Sequence, residues 1–287
     1  MRLASLFTLL CLPALGHSAE PQWHSFDWAS AKVLPGLPEE RAALLLPAKV
    51  NGVDCRLQLD TGANNAVLWH DGGAADTAAT VSVALELDGI RMTTMTTVAN
   101  AARIKPGQCD NVITVGNAFF EQGTLTLDLG NQRYAYTAQA LLAKEQAAQP
   151  LIYAQWQGAG GHTLVEIRLP SGVLGYALLD TGATRFGLSA TNADQWRAMT
   201  DDLPLVASAD VAEFKVNSWG TQVSCYETTV KRPLVIANMV SLPEYLASYC
   251  AVEGFKAGQR LVGLLGLRHL GQRTVTLDYL SRRWLLK

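Results

Sequence analysis

Two short stretches carry the residue types that could do chemistry. Leu57-Gln58-Leu59-Asp60-Thr61-Gly62-Ala63 runs an apolar pattern into an acidic residue, a small hydroxyl residue and a glycine. Tyr176-Ala177-Leu178-Leu179-Asp180-Thr181-Gly182-Ala183 repeats the statement 120 residues later. Two carboxylates within hydrogen-bonding distance cannot both ionise easily, because the like charge raises one pKa. The pair then titrates as a unit. Its ionised member can take a proton from a water lying between them, and its protonated member can donate to a carbonyl oxygen. The water attacks, and a tetrahedral diol forms without a covalent enzyme intermediate. Asp60 and Asp180 are therefore the candidate catalytic pair. Thr61, Gly62, Thr181 and Gly182 are the candidate supporting loops. The glycines let the backbone turn sharply and approach its twin. The threonines can hydrogen-bond across a pseudo-twofold axis and brace the two loops.

The elements that must position such a pair are repeated as well. Asn51-Gly52-Val53 and Ser171-Gly172-Val173 stand at the same offset of 120, each a hairpin-turn pattern between apolar runs. Val115-Gly116 leads through Gln122, Thr124, Thr126, Leu127, Asp128 and Arg133. Leu265-Gly266 leads through Gln272, Thr274, Thr276, Leu277, Asp278 and Arg283, every one at an offset of 150. Each half thus reads hairpin, Asp-Thr-Gly, variable middle, apolar-Gly, and a final Thr-x-Thr-Leu-Asp strand. The second half carries about thirty extra residues in its middle.

The chain has 287 residues, 49% hydrophobic and 17% charged, which suits a globular protein with a sizeable core. Residues 1–19 read as a signal peptide, with Arg2 before the short apolar run Leu3 to Leu15. Cleavage after Gly16, Ser18 or Ala19 stays open. Removing the segment takes the net charge from −2 to −3, since Arg2 is its only charged residue. That balance offers nothing to nucleic acid or to an anionic membrane. No other apolar run is long enough to span a membrane. The expectation is an exported protein, periplasmic or secreted, acting as a monomer. Four cysteines then remain, an even number that in an exported chain points to disulfides. Three pairings are open. The repeat favours pairing within each half, Cys55 with Cys109 and Cys225 with Cys250.

The segmentation that follows is residues 20–137 as an N-terminal lobe with an arm, 138–161 as a linker, and 162–287 as a C-terminal lobe. The arm carries Trp23, Phe26 and Trp28, read as a covering strand. Ala43 to Leu59 reads as two strands. The alternation of Val81, Val83, Leu85 and Leu87 reads as another, turned at Asp88-Gly89. A single helical turn is expected before Phe120. Ala138 to Gln149 reads as a helix or a linker. Thr191 to Asp202 reads as a helix capped by Thr191 or Asn192. Leu242 to Cys250 reads as a helix, with Ser241 as cap and Pro243 in the first turn.

Competing chemistries find no support. Five scattered histidines (His17, His24, His70, His162 and His269) lack metal-ligand spacing and read as surface or structural residues. No Cys pair has C-x-x-C spacing, no G-x-S-x-G elbow is present, and Gly158-Ala159-Gly160-Gly161 does not open a helix after a strand. No metal and no cofactor are expected.

Leu-Asp-Thr-Gly-Ala-Asn-Asn-Ala-Val-Leu at 59–68, with Gly116-Asn117-Ala118-Phe119-Phe120-Glu121-Gln122 before a Thr-x-Thr-Leu strand, resembles the retroviral-type aspartic proteases. The duplication resembles a single-chain, two-lobed form, as in pepsins. The resemblance covers roughly residues 43–136 and 162–287. It implies a mainly β, two-lobed aspartic-protease-like fold with pseudo-twofold symmetry and a few short helices. It also implies an endopeptidase acting on a peptide or protein through Asp60 and Asp180. Three departures stand out. Ala63 and Ala183 replace the hydroxyl residue of pepsins, which removes a donor that would lower each carboxyl pKa and implies a less acidic optimum. Asn64, Asn65 and Asn117 stand where the retroviral type has charged residues. No glycine-rich or tyrosine-bearing flap is evident, and Gly72-Gly73 or the Asp88-Gly89 hairpin with Met92 and Met95 are the candidates. The rival class is a non-catalytic peptide- or protein-binding module that keeps the fold.

Overall fold

The computed structural model describes residues 21–32, 38–70, 79–155, 160–218, 221–250 and 261–287. The expected signal peptide, the Gly72-Gly73 loop and Gly158-Ala159 lie outside them. The described residues are mainly β, with 23 strands, most of them short, against three short helices. They form three sheets. A seven-stranded sheet draws its strands from residues 27–115, and a ten-stranded sheet from residues 152–265. A six-stranded sheet joins the two ends of the chain. The result is a two-lobed, aspartic-protease-like architecture with pseudo-twofold symmetry.

The symmetry is readable strand by strand. In the first lobe, Val53–Leu59 runs parallel to Ile113–Val115, with Leu59 opposite Val115. In the second, Leu174–Leu179 runs parallel to Leu261–Leu265, with Leu179 opposite Leu265. Val67–Trp69 and Leu188–Ala190 then pair antiparallel with those same inner strands. In the shared sheet, Thr124–Asp128 lies antiparallel to Thr274–Asp278, and Thr126 faces Thr276. The axis passes between these two equivalent residues. Parallel strands are ordinarily buried on both faces, and Leu57, Leu59, Val115, Ala177, Leu179 and Leu265 are all fully buried.

The arm behaves as a covering strand. Asp27–Ala31 pairs with Glu40–Val50, His24–Ser25 pairs with Arg133–Thr137, and Phe26 is buried edge-on against Trp28. Gln149–Pro150 pairs with Arg283–Leu286, so the connecting segment is stitched to the shared sheet. Ala193–Thr200 is the expected helix, and Asn192 caps it by accepting from the Gln195 N–H.

One helix reading fails, and the helix alternative for another segment is not taken up. Leu242 to Cys250 holds two strands, Val240–Leu242 and Tyr245–Cys250. The second is an inner strand, paired with Thr221–Val230 on one side and Leu188–Ala190 on the other. Its Tyr245 and Ala247 are fully buried, so two ladders outweigh a local capping signal. Ala138 to Gln149 forms turns and no helix. The Leu142 N–H donates to Asp278 at 2.7 Å, and Leu142 and Ala148 pack on Leu285.

Both within-half disulfides are present. Cys55–Cys109 links sites 5.3 Å apart at the Cα atoms. Cys225–Cys250 joins residues directly opposite in one ladder.

Candidate active site

Each Asp-Thr-Gly turn leaves the end of a buried strand and is caught by the next inner strand. The Asp60 N–H donates to Val115 O at 3.0 Å, and the Asp180 N–H donates to Leu265 O at 2.9 Å. The apolar-Gly steps pack against the same turns. A Cβ on Gly116 would stand 2.6 Å from Ala63 O, and one on Gly266 would stand 2.3 Å from Ala183 O, distances only glycine permits.

The two turns then lock together. The Thr61 N–H donates to Thr181 Oγ1 at 2.9 Å, and the Thr181 N–H donates to Thr61 Oγ1 at 3.0 Å. Thr61 Oγ1 donates to Leu179 O at 2.6 Å, and Thr181 Oγ1 donates to Leu59 O at 3.1 Å. Four reciprocal bonds, all buried, hold the two aspartates face to face. A Cβ on Gly62 would lie 2.7 Å from Asp180 Cγ, and one on Gly182 would lie 2.7 Å from Asp60 Cγ. Both glycines are therefore needed for the carboxyl groups to come this close.

The carboxyl groups hydrogen-bond to each other and titrate as a pair. Backbone N–H groups hold them: Gly62 donates to Asp60 Oδ1 at 2.8 Å, and Gly182 and Ala183 donate to Asp180 Oδ1 at 2.9 and 3.1 Å. Burial raises the Asp60 pKa, while the bonds from Asp180, Gly62 and Ala63 pull it back. Burial raises Asp180 well above the ordinary carboxyl value, and the neighbouring Asp60 charge and the shared bond push it the same way. The arrangement holds one proton on the pair beside one ionised carboxylate.

Three side chains stand around the first turn: Asn117, which the sequence marked only as a neutral departure, and Tyr279 and His162, which no sequence pattern assigned to the site. Asn117 is fully buried, and its Nδ2 donates to Thr61 O at 2.6 Å and to Ala63 O at 3.2 Å. The hydroxyl of the buried Tyr279, from the shared sheet, donates to Asn117 Oδ1 at 2.9 Å. His162 donates to the carbonyl of Gly62 and faces Asp60, and burial pushes its pKa down. The carbonyls of 61, 62 and 63 are thus all taken by side-chain donors, Asn117 fully buried and His162 half-buried. Among the described residues the second turn shows no such set, and its counterpart of Asn117 is Leu267. His70 follows the Val67–Trp69 strand. Its Nε2 lies 2.6 Å from Thr114 Oγ1, burial lowers its pKa, and its charge would act on Asp60. One available signal was the hairpin register. Leu164 opposite Leu178, continued by two residues, sets His162 opposite Asp180.

The Asp88-Gly89 hairpin does not serve as a cover. Asp88 Oδ2 accepts from the Tyr136 N–H at 3.0 Å, and His24 Nε2 lies 2.8 Å from Asp88 Oδ1, so the tip docks on the shared sheet. Met92 packs on the core and Met95 is exposed. Among the described residues no group of three or more His, Cys, Asp or Glu could hold a metal ion.

No family model matches the chain, and no curated protein matches it. Among solved structures, it is similar to the basic 7S globulin from soybean at 12% identity and a TM-score of 0.40, covering 86% of this chain and 91% of that one. It is similar to EDGP at 8% identity and a TM-score of 0.43, covering 93% of this chain and 94% of that one.

Proposed function

We propose that the protein is an aspartic endopeptidase that hydrolyses peptide bonds by water activation at Asp60 and Asp180. The observation that carries this is the pair of carboxyl groups sharing a hydrogen bond across the axis, each held by its own turn. Asp60, ionised, takes the proton of the attacking water. Asp180, protonated, donates to the substrate carbonyl oxygen as the tetrahedral diol forms. Collapse of the diol returns a proton through the pair to the leaving amine. No covalent intermediate is needed, and the N–H groups of Gly62, Gly182 and Ala183 hold the carboxyl oxygens without reorganising.

Residues 20–137 and 162–287 serve as the lobes, with 138–161 between them, and the substrate is an extended peptide lying in the cleft. Two disulfides, and the lack of any helix among the described residues long and apolar enough to cross a membrane, fit export to the periplasm or beyond.

The test is incubation of the mature protein with a peptide library from pH 3 to 7, with and without a statine-type diol mimic. Cleavage suppressed by the mimic supports the proposal. Saturable peptide binding with no cleavage at any pH would instead assign the chain to the binding modules.

A further inference from the structure

The turn after Asp180 borders a second feature. Thr184 and Arg185 line a cavity of about 290 Å³ together with Trp28, Glu40, Arg41 and Arg268. That size is at the lower edge of ligand pockets, room for one side chain or chain end and not for a large ligand. Thr184 is four residues from Asp180, which limits the separation to roughly 14 Å. An extended peptide rises about 3.3 Å per residue, so the cavity serves a group within about four residues of a bond held at the dyad.

The charges in this cavity do not balance. Three guanidinium groups line it against one carboxylate, Glu40. Arg185 is buried and ion-paired on two sides. Its Nη1 and Nη2 donate to Glu227 at 2.8 and 3.1 Å, and its Nε lies 2.9 Å from Glu40 Oε2. That commits Glu40 to Arg185. Arg268, 43% exposed, pairs with Glu40 only at 3.8 Å and donates from Nη1 to the Arg185 carbonyl at 3.4 Å, which leaves its other donors open. Arg41 lies over the Trp28 ring at 4.7 Å, its backbone carbonyl pinned by Thr184 Oγ1 at 2.7 Å. No carboxylate of the described residues lies within ion-pair distance of Arg41. Two guanidinium groups with spare donors therefore line a small cavity whose Thr184 wall lies four residues along the chain from Asp180. The ligand that matches spare guanidinium forks is a carboxylate, which accepts two parallel N–H bonds.

We propose that this cavity is a carboxylate-recognising subsite, taking an acidic side chain or the free C-terminal carboxylate of a bound peptide. Its placement relative to the scissile bond rests on the endopeptidase reading, whereas carboxylate binding itself does not.

The experiment measures peptide affinity by fluorescence polarisation on the Asp60→Asn/Asp180→Asn protein, where turnover does not interfere, and cleavage on wild type in parallel. The probes are labelled Ala/Leu pentapeptides carrying one Glu or one Gln, each with a free or an amidated C-terminus. Glu over Gln selectivity identifies the side chain as the source, and free acid over amide identifies the terminus. The expected result is about tenfold tighter binding of one acid form, lost in Arg41→Gln/Arg268→Gln and weakened by added salt. Arg268→Gln alone, at an exposed residue, provides a second variant with intermediate loss. Equal affinity for all four probes, or a preference that survives both substitutions, overturns the subsite. Charge-blind binding with cleavage by wild type overturns the subsite and leaves the protease reading. Acid-selective binding with no cleavage keeps the subsite and overturns catalysis.

Discussion

At the residue scale the two aspartates are chemically alike and placed differently. Asp180 is raised well above the ordinary carboxyl value by burial and by Asp60, so the folded state keeps a proton that the unfolded chain releases. Stability is therefore lost as pH rises from the ordinary carboxyl value through the raised one. Asp180→Asn removes that loss. Its thermal midpoint should exceed wild type at pH 7 and match it near pH 3. Asp60→Asn or Asp180→Asn should each abolish hydrolysis, and the double variant should lose little more, because acid and base act as a unit. Full activity in either single variant would rule out the dyad. Asn117 is argued from its partners. Asn117→Leu copies the residue at the equivalent place in the other half, but strands the Thr61 carbonyl and the Tyr279 hydroxyl, whereas Ala63 O keeps the backbone N–H of 117. Urea denaturation should show a loss of about 2–4 kcal/mol, and Tyr279→Phe a loss of about 1–2 kcal/mol.

At the element scale, the turn-to-turn contact sets the reacting geometry. Gly62 and Gly182 each face the opposite carboxyl group, where a Cβ would sit 2.7 Å from its Cγ. Gly62→Ala should therefore displace Asp180 by close to an ångström and lower kcat/KM about 100-fold. Neither glycine has a positive φ, so the backbone accepts alanine and the fold should persist. Circular dichroism alongside kinetics separates the two effects. Unchanged kcat/KM in Gly62→Ala would mean that the carboxyl groups need not meet. The failed helix at Leu242 to Cys250 belongs to this scale too. Ser241 and Pro243 mimic a helix start, yet Tyr245 and Ala247 are buried where two ladders claim the segment.

At the scale of the whole molecule, the lobes meet through the six-stranded sheet and through the reciprocal threonine bonds. Each disulfide closes its own lobe. Cys55–Cys109 spans 54 residues and Cys225–Cys250 spans 25. Loop closure makes them worth up to about 4 and 3.5 kcal/mol, with the longer loop worth slightly more. The Cys55→Ala/Cys109→Ala variant should lose close to that amount in guanidinium titration, while its dyad bonds, which cross the axis, stay formed. A variant that unfolds no earlier than wild type would show that the first lobe does not depend on its staple.

The duplication, the aspartate pair, the bracing threonines and the within-half cysteine pairing were legible in the residues. The first three are written as short patterns repeated at offsets of 120 or 150, and a repeat exposes spatial equivalence without coordinates; the cysteine pairing followed from two cysteines falling in each half. The hairpins at Asn51-Gly52 and Asp88-Gly89 were legible because turn chemistry is local. What surrounds the dyad was decided by tertiary structure. Asn117, Tyr279 and His162 reach the first turn from three separate parts of the chain, and no period links them. That the pair keeps one proton, and which arginines line an unbalanced cavity, depend on burial and on partners over a hundred residues away. A local pattern carries neither, because both follow from the distances between chain segments that only the packed fold brings together.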